Sequence, residues 1–333
     1  MFRKFKANLQ TMSRSDDHSN AVGGVTTNNS VFHHPDDFHI MVAGRYILGP
    51  KFGSGSFGDV YYGLDKYPDS QGKRQLVAIK LEKIANVKSF NTHENEIYDK
   101  IYEPNQGIAR VFWCGTQGEY HVLIMEFIGP NLDLLFKDSK QRFSLNTVSQ
   151  IGQQIFKIIR YLHSKGIIHR DIKPDNFLVK LKKHQLYMID MGLAKRYLDE
   201  DGQHIPLVRT GKFIGTPRFA SINSHKGLEL SRRDDLMSIF YMLIYFAKGS
   251  LPWQGLPLPK QQLNSEEGKR ASRQAIFETK KNTPLKVLCA DLPDEFLEMG
   301  VYLRSLRFEQ TPDYDYLSNL LEAIQKNNGY SDF

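Results

Sequence analysis

The chain is poor in cysteine: its 333 residues hold two, Cys114 and Cys289, in separate apolar contexts. Two such thiols build neither a disulfide framework nor a thiolate metal site, and they suit a reducing compartment. Long apolar runs are also missing. The longest, at 238–247 (SIFYMLIYFA), is about half of what spans a bilayer and reads as a buried helix. The basic start has no apolar stretch behind it, residue 2 is Phe2 and not glycine, and the end reads Ser331-Asp332-Phe333. Neither a secretory signal nor a common lipid anchor is therefore expected, and no membrane partner. The eleven histidines show no ligand spacing; His33 and His34 lie in polar sequence and read as solvated.

What is present suffices for a substantial core, with 41% hydrophobic and 24% charged residues. The net charge is +7. In residues 1–44, Arg3, Lys4, Lys6 and Arg14 balance Asp16, Asp17, Asp36 and Asp37, so the excess belongs to the folded part. That favours an anionic ligand or partner. The positive residues are dispersed, with no basic platform interleaved with aromatics, so nucleic acid is not the expected partner. Residues 1–42 are mostly Ser, Asn, Asp, Gly and Thr in their middle stretch and read as a disordered tail.

Folded sequence begins near Arg45. Short β-type runs at 45–52, 59–65 and 76–81 precede a helical stretch at 89–102 and two further strands, 109–114 and 121–127. Beyond Gly129-Pro130 the pattern turns helical: Val148, Ile151, Ile155, Ile158, Ile159 and Leu162 recur at three- and four-residue steps. Further helices are read at 236–247 and 317–325. The expected fold is α+β in two lobes, a small sheet-rich one at 45–127 and a larger helical one at 130–329. A ligand would sit in the cleft between them.

The first chemical signal is Gly53-Ser54-Gly55-Ser56-Phe57-Gly58-Asp59-Val60. Alone, G-x-G-x-x-G is weak, because dinucleotide sites and ordinary turns share it. A dinucleotide turn opens into a helix; here Val60-Tyr61-Tyr62 continues as strand. The glycines then form a hairpin tip whose N–H groups approach phosphates, with Phe52 at its base. Next comes Val77-Ala78-Ile79-Lys80, where alternation places Ala78 and Lys80 on one face, a small side chain for a flat base and an ammonium for phosphates. Glu94 shares a helical stripe with Ile97, Tyr98 and Ile101 and is costly to bury unless paired, which makes Lys80 its expected partner. Glu96 falls on the solvated face.

The most specific signal is His169-Arg170-Asp171-Ile172-Lys173-Pro174-Asp175-Asn176. Asp171 would take or orient the proton of an incoming hydroxyl, Lys173 would neutralise a transferring phosphoryl group, and Asn176 would hold a metal ion. Fourteen residues after Asn176, a strand ends in Asp190-Met191-Gly192. With Asn176, Asp190 would suffice for Mg²⁺, which takes few carboxylates and several phosphate oxygens.

This ordered set resembles the protein kinase pattern across 45–329. Between Met125 and Trp253 the resemblance narrows to the casein kinase 1 family. It rests on Gly129-Pro130-Asn131-Leu132, His204-Ile205-Pro206, Gly215-Thr216-Pro217-Arg218-Phe219-Ala220-Ser221-Ile222-Asn223, Ser231-Arg232-Arg233-Asp234-Asp235-Leu236 and Gly249-Ser250-Leu251-Pro252-Trp253-Gln254-Gly255. Ser221-Ile222-Asn223 stands where most kinases have Ala-Pro-Glu. The resemblance implies ATP and Mg²⁺ as cofactors, protein substrates phosphorylated on serine or threonine, a monomer, and the cytoplasm with access to the nucleus. It also implies Met125 as gatekeeper, Glu126 to Ile128 as the hinge reading adenine, and Asp235 as the support of the catalytic loop. Acidic or phosphoprimed substrates are implied too. Arg209, Lys212 and Arg218, with no acid between Asp201 and Glu229, would hold their anions.

Departures from the pattern are Met191 within the Asp-x-Gly motif, Phe213-Ile214 before Gly215, and extra residues at 262–273, where Lys269, Arg270 and Arg273 are candidates for a second anion contact. The rival reading is a nucleotide-binding scaffold without transfer; Lys80, Asp171 and Asp190 argue against it.

Overall fold

The computed structural model describes residues 40–55, 58–86, 92–256 and 265–327. Its first half is a six-stranded antiparallel sheet formed by β1 (Met41–Val42), β2 (Tyr46–Gly55), β3 (Gly58–Pro68), β4 (Arg74–Lys83), β5 (Val111–Gln117) and β6 (Tyr120–Glu126). The spatial order is β1-β2-β3-β4-β6-β5. Strand β1 pairs Met41 with Ile47, so the sheet starts two residues inside the stretch read as tail, because Val42 supplies an apolar residue to the sheet's outer cluster. The remainder of that stretch, 1–39, lies outside the described residues, as do Ser56 and Phe57.

Alternation along β4 decides which chemistry faces the cleft. Val77 and Ile79 are fully buried in a cluster with Val42, Tyr46, Val122 and Ile124. Ala78 and Lys80 point to the other side, where a cavity opens. Helix α1 (Thr92–Ile101) packs by the stripe Ile97, Tyr98 and Ile101; burying each such side chain is worth roughly 1.5–3 kcal/mol. Glu96 is exposed on its opposite face.

Helices α2 (Leu132–Asp138) and α3 (Leu145–Ser164) begin the second half. Each has a polar N-cap: Asn131 Oδ1 accepts from Leu134 N at 2.9 Å, and Ser144 Oγ accepts from Thr147 N at 3.2 Å. The buried face of α3 carries all six apolar residues of the three-to-four repeat, Val148 through Leu162. Tyr161 at its end donates to the carbonyl of Ile101 at 2.8 Å, tying α3 to α1 across the two halves.

Short strands β7 (Ile167–Ile168), β8 (Phe177–Lys180), β9 (Gln185–Met188) and β10 (Lys195–Arg196) follow, paired β8 with β9 and β7 with β10. Then come α4 (Ile222–His225), α5 (Arg232–Lys248), α6 (Glu266–Asn282), α7 (Leu285–Leu288), α8 (Asp294–Ser305) and α9 (Tyr314–Asn327). Every residue of α5 from Asp234 to Ala247 is buried. The apolar run at 238–247 is thus a core helix. Among the described residues no helix is long and apolar enough to cross a membrane.

Candidate active site

The two halves enclose a cavity of about 570 Å³. Phe52, Gly53, Gly58, Val60, Ala78 and Lys80 line it from the sheet; Lys173, Asn176, Leu178, Ile189 and Asp190 line it from the helical side. Met125, Glu126 and Ile128 lie along the segment that joins them. Gly58 is required by close approach, since a Cβ there would lie 2.3 Å from the carbonyl oxygen of Leu81 and 2.9 Å from Glu82 Cγ. Ser54 and Gly55 pair with Asp59 and Gly58 across the hairpin. Asp59 forms a half-exposed ion pair with Lys51 at 2.6 Å instead of facing the cavity. Phe52, Tyr62 and Phe127 cluster near the cavity mouth, with centroids 4.3 Å apart for Phe52–Tyr62 and 5.4 Å for Tyr62–Phe127.

Lys80 sits among three carboxylates. Its Nζ lies 2.6 Å from Glu82 and 3.9 Å from Asp190, while Glu94 acts on it through charge and accepts from the Met191 amide at 3.1 Å. Glu94 was the one partner expected. Glu82 is an addition that β-strand period two explains, since residues 80 and 82 share a face. Burial works against the Lys80 ammonium, yet the charges of Asp190, Glu94 and Glu82 outweigh it and hold its pKa above the ordinary lysine value. Burial also pushes Glu94 up to about 7, with Asp190 and Glu82 adding to the effect and Lys80 opposing it.

The catalytic-loop candidates are fixed through backbone. Asp235 on α5 accepts from the amides of His169 at 2.7 Å and Arg170 at 2.8 Å. His163 on α3 bonds Asp235 through Nε2 at 3.0 Å and the Tyr314 hydroxyl through Nδ1 at 2.6 Å. Burial would raise the carboxyl of Asp235, but His163 and the amides hold it below the ordinary value. Arg170 takes φ +69° and Asp190 φ +66°, left-handed conformations that cost a non-glycine residue about 1–3 kcal/mol and gather at functional sites. Asp190 is held there by its amide, which donates to the Tyr98 hydroxyl at 2.9 Å.

Asp171 accepts from Lys173 Nζ at 2.6 Å and from the Thr216 hydroxyl at 2.7 Å. Asn176 Nδ2 donates to the Asp171 carbonyl at 2.9 Å, which leaves its Oδ1 as an acceptor. The Asn176 carbonyl in turn accepts from the Ile189 amide at 3.0 Å, one residue before Asp190. Lys80, Asp190, Asn176, Lys173 and Asp171 therefore form one linked set. Gly215 makes room for it: at φ +97°, a Cβ would meet the Arg170 carbonyl at 2.6 Å.

The three basic candidates are not equivalent. Arg209 and Lys212 are exposed. Arg218 lies over the Tyr245 ring at 5.3 Å and the Phe219 ring at 5.7 Å, so its guanidinium is partly engaged by aromatic faces. Of the residues offered for a second anion contact, Arg273 lies over the Phe213 ring at 5.8 Å. Sequence reading missed Asp234, whose Oδ1 accepts from Ser221 at 2.7 Å and Asn223 at 2.9 Å. Asp234 stands in the same quoted motif as Asp235, and what the spacing does not write is its pairing with Ser221 and Asn223.

A sheet-rich half over a helical half, with Lys80, Asp190 and Asn176 lining the cleft between them and Asp171 bonded to Asn176, defines a phosphotransferase of the two-lobed kind. The family description of the protein kinase domain matches residues 46–314, well over half of the chain. The chain belongs to the protein kinase domain family, whose members use ATP and Mg²⁺ and act on proteins.

Proposed function

We propose that this chain is an active serine/threonine protein kinase of the casein kinase 1 type. It acts as a monomer on acidic or phosphoprimed protein substrates in the cytoplasm, with access to the nucleus. The observation that carries the reading is the double hold on Asp171 by Lys173 and Thr216, at 2.6 and 2.7 Å. It aims one carboxylate while a lysine ammonium stands beside it, as transfer to an aliphatic hydroxyl needs.

In this reading adenine lies between Ala78 and Val60 on one side and Leu178 and Ile189 on the other, with Met125 as gatekeeper. Glu126 and Ile128 offer their backbone to the base edge, and the Glu126 side chain is turned to Lys180 at 3.0 Å. Phe52 and the glycine hairpin, at residues 53–55 and 58–60, cover the phosphates, and Lys80 holds them with Glu94 as counter-charge. The hydroxyl oxygen forms a bond to the γ-phosphorus as the bond from that phosphorus to the bridging oxygen breaks. ADP leaves with that electron pair, and the hydroxyl proton passes to Asp171. Lys173 neutralises charge on the moving group.

Asp190 and Asn176 fit Mg²⁺ as an oxygen pair. Among the described residues no cluster of three or more His, Cys, Asp or Glu is arranged to hold a metal unaided, which accords with an ion completed by phosphate oxygens and water. When bound, Mg²⁺ supplies positive charge to the phosphates. Ser221, Asn223 and Asp234 support the casein kinase 1 reading, because this hydrogen-bonded trio fastens the segment where other kinases carry Ala-Pro-Glu.

Incubation of the chain with γ-³²P-ATP, Mg²⁺ and casein, followed by phosphoamino-acid analysis, tests the proposal. Label on serine or threonine from the unaltered chain, and none from Asp171→Asn, is the expected result. Equal labelling by both proteins, or label on tyrosine, overturns it.

A further inference from the structure

Lys280, near the end of α6, is fully buried and has no assigned part in the chemistry above. A buried ammonium is costly without partners, and here its surroundings are specific. Nζ donates to the carbonyl oxygens of Pro217 at 2.7 Å and Ala220 at 2.6 Å, and lies 3.5 Å from His225 Nε2. The rings of Tyr241 and Trp253 each stand 5.1 Å away. Two carbonyl acceptors and an imidazole nitrogen thus surround Nζ, with two aromatic faces completing the shell. Burial first, then the Lys280 charge, push the His225 pKa down to about 4. Burial likewise pushes the Lys280 pKa well below the ordinary lysine value.

The carbonyls that Lys280 grips belong to one short stretch. Between them, Arg218 has its own carbonyl taken by Trp253 Nε1 at 2.7 Å. The stretch starts at Thr216, which contacts Asp171, and ends at Ser221, which is bonded to Asp234. Three of its carbonyls, those of Pro217, Arg218 and Ala220, are therefore drawn inward by α6 and by the turn at Trp253. That leaves the Arg218 side chain over Tyr245 and the Thr216 hydroxyl on the catalytic carboxylate.

We propose that Lys280 is a positioning residue for protein-substrate recognition, clamping the 216–221 stretch so that Arg218 and Thr216 hold the geometry that an acidic peptide meets. The proposal rests on the protein kinase reading, but part of its test does not. The clamp acts on the peptide side of the cleft and leaves the nucleotide cavity, whose lining excludes 216–221, untouched.

Two substitutions test it: Lys280→Met, of similar length and uncharged, and Lys280→Gln, which keeps one donor group. Amide hydrogen exchange is read at Phe219 and Ala220, which bond the Thr216 carbonyl at 3.0 and 2.9 Å. Exchange there should speed up about tenfold or more in Lys280→Met and less in Lys280→Gln, with α3 and the 168–176 loop unchanged. kcat/KM for an acidic peptide should fall about tenfold or more, through KM as Arg218 loosens and through kcat as Thr216 loosens on Asp171, while the affinity for Mg·ADP stays within about twofold.

Unchanged exchange at 219–220 overturns the clamp. So does faster exchange spread evenly through α3 and α5 with loss of ADP binding, which would make Lys280 a general core residue. Should the methionine chain fail to fold, the glutamine chain decides by the same two readouts. If the unaltered chain transfers no phosphate, the kinase reading fails, and the exchange measurement still judges the clamp.

Discussion

The cleft is faced by two charged clusters, and they are held in place by different means. Around Asp171 the hold is backbone: Asp235 receives two loop amides, His163 steadies Asp235, and Asn176 and Thr216 lock the carboxylate's surroundings. Around Lys80 the hold is charge, one ammonium among Glu82, Glu94 and Asp190. The first arrangement is preorganised by backbone and side-chain hydrogen bonds. The second changes with pH and with whatever anion enters, as befits a site that receives phosphates.

The largest expected effect comes from the rigid cluster. Asp171→Asn should lower kcat at least about a thousandfold and leave Mg·ADP affinity unchanged, because the lost group acts only as the hydroxyl is activated. A parallel loss of ADP affinity in calorimetry would place Asp171 in the nucleotide site instead. Asp235→Asn comes next. It removes a buried carboxylate from two amides and His163, so a fall of about 3 kcal/mol in unfolding free energy and a drop in kcat of about a hundredfold are expected. Urea titration and initial rates check both. Full activity in this variant would show that the loop does not need its anchor.

The charge-held cluster gives a pH signature. Glu94 has a folded pKa of about 7 against an ordinary 4.5. Between those values the native state keeps a proton that the unfolded chain has released. Its contribution is complete below pH 4.5 and is lost as pH rises through 7, a change of about 3 kcal/mol. Glu94→Gln should remove that decline, seen as a flatter plot of unfolding free energy against pH. His225, held down to about 4 by burial and by Lys280, slopes oppositely between pH 4 and 6.5 and cancels when the two proteins are compared. An unchanged slope would mean that Glu94 is ionised throughout. The smallest effect is on selectivity: Arg218→Ala should cost a phosphoprimed peptide about fivefold more kcat/KM than an unprimed one. Equal losses would remove Arg218 from anion recognition.

Elements written in local pattern were legible from sequence. The α3 face from Val148 to Leu162 and the inward pair Ala78 and Lys80 follow from periodicity, and the buried run 238–247 from its length and composition. The site was readable where motif residues lie close together, as from His169 to Asn176. What stayed hidden are partners distant in sequence and ordinary in type. Glu82 looks like a charged residue at a strand end, Asp234 like half of a surface pair, and Lys280 like one of the basic residues on α6. Their roles come from burial and from carbonyls some 60 residues away in the chain, which no spacing rule encodes. Strand β1 was missed because Met41 and Val42 make two residues of pattern and border a polar stretch.

Calorimetric titration of Mg·ADP into the unaltered chain, Lys80→Met and Asp190→Asn tests the convergence of the cleft groups most directly. The account predicts saturable binding to the unaltered chain and at least about tenfold weaker binding to each variant, about 1.4 kcal/mol or more. Binding that is absent from the unaltered chain, or equal in all three, would contradict it.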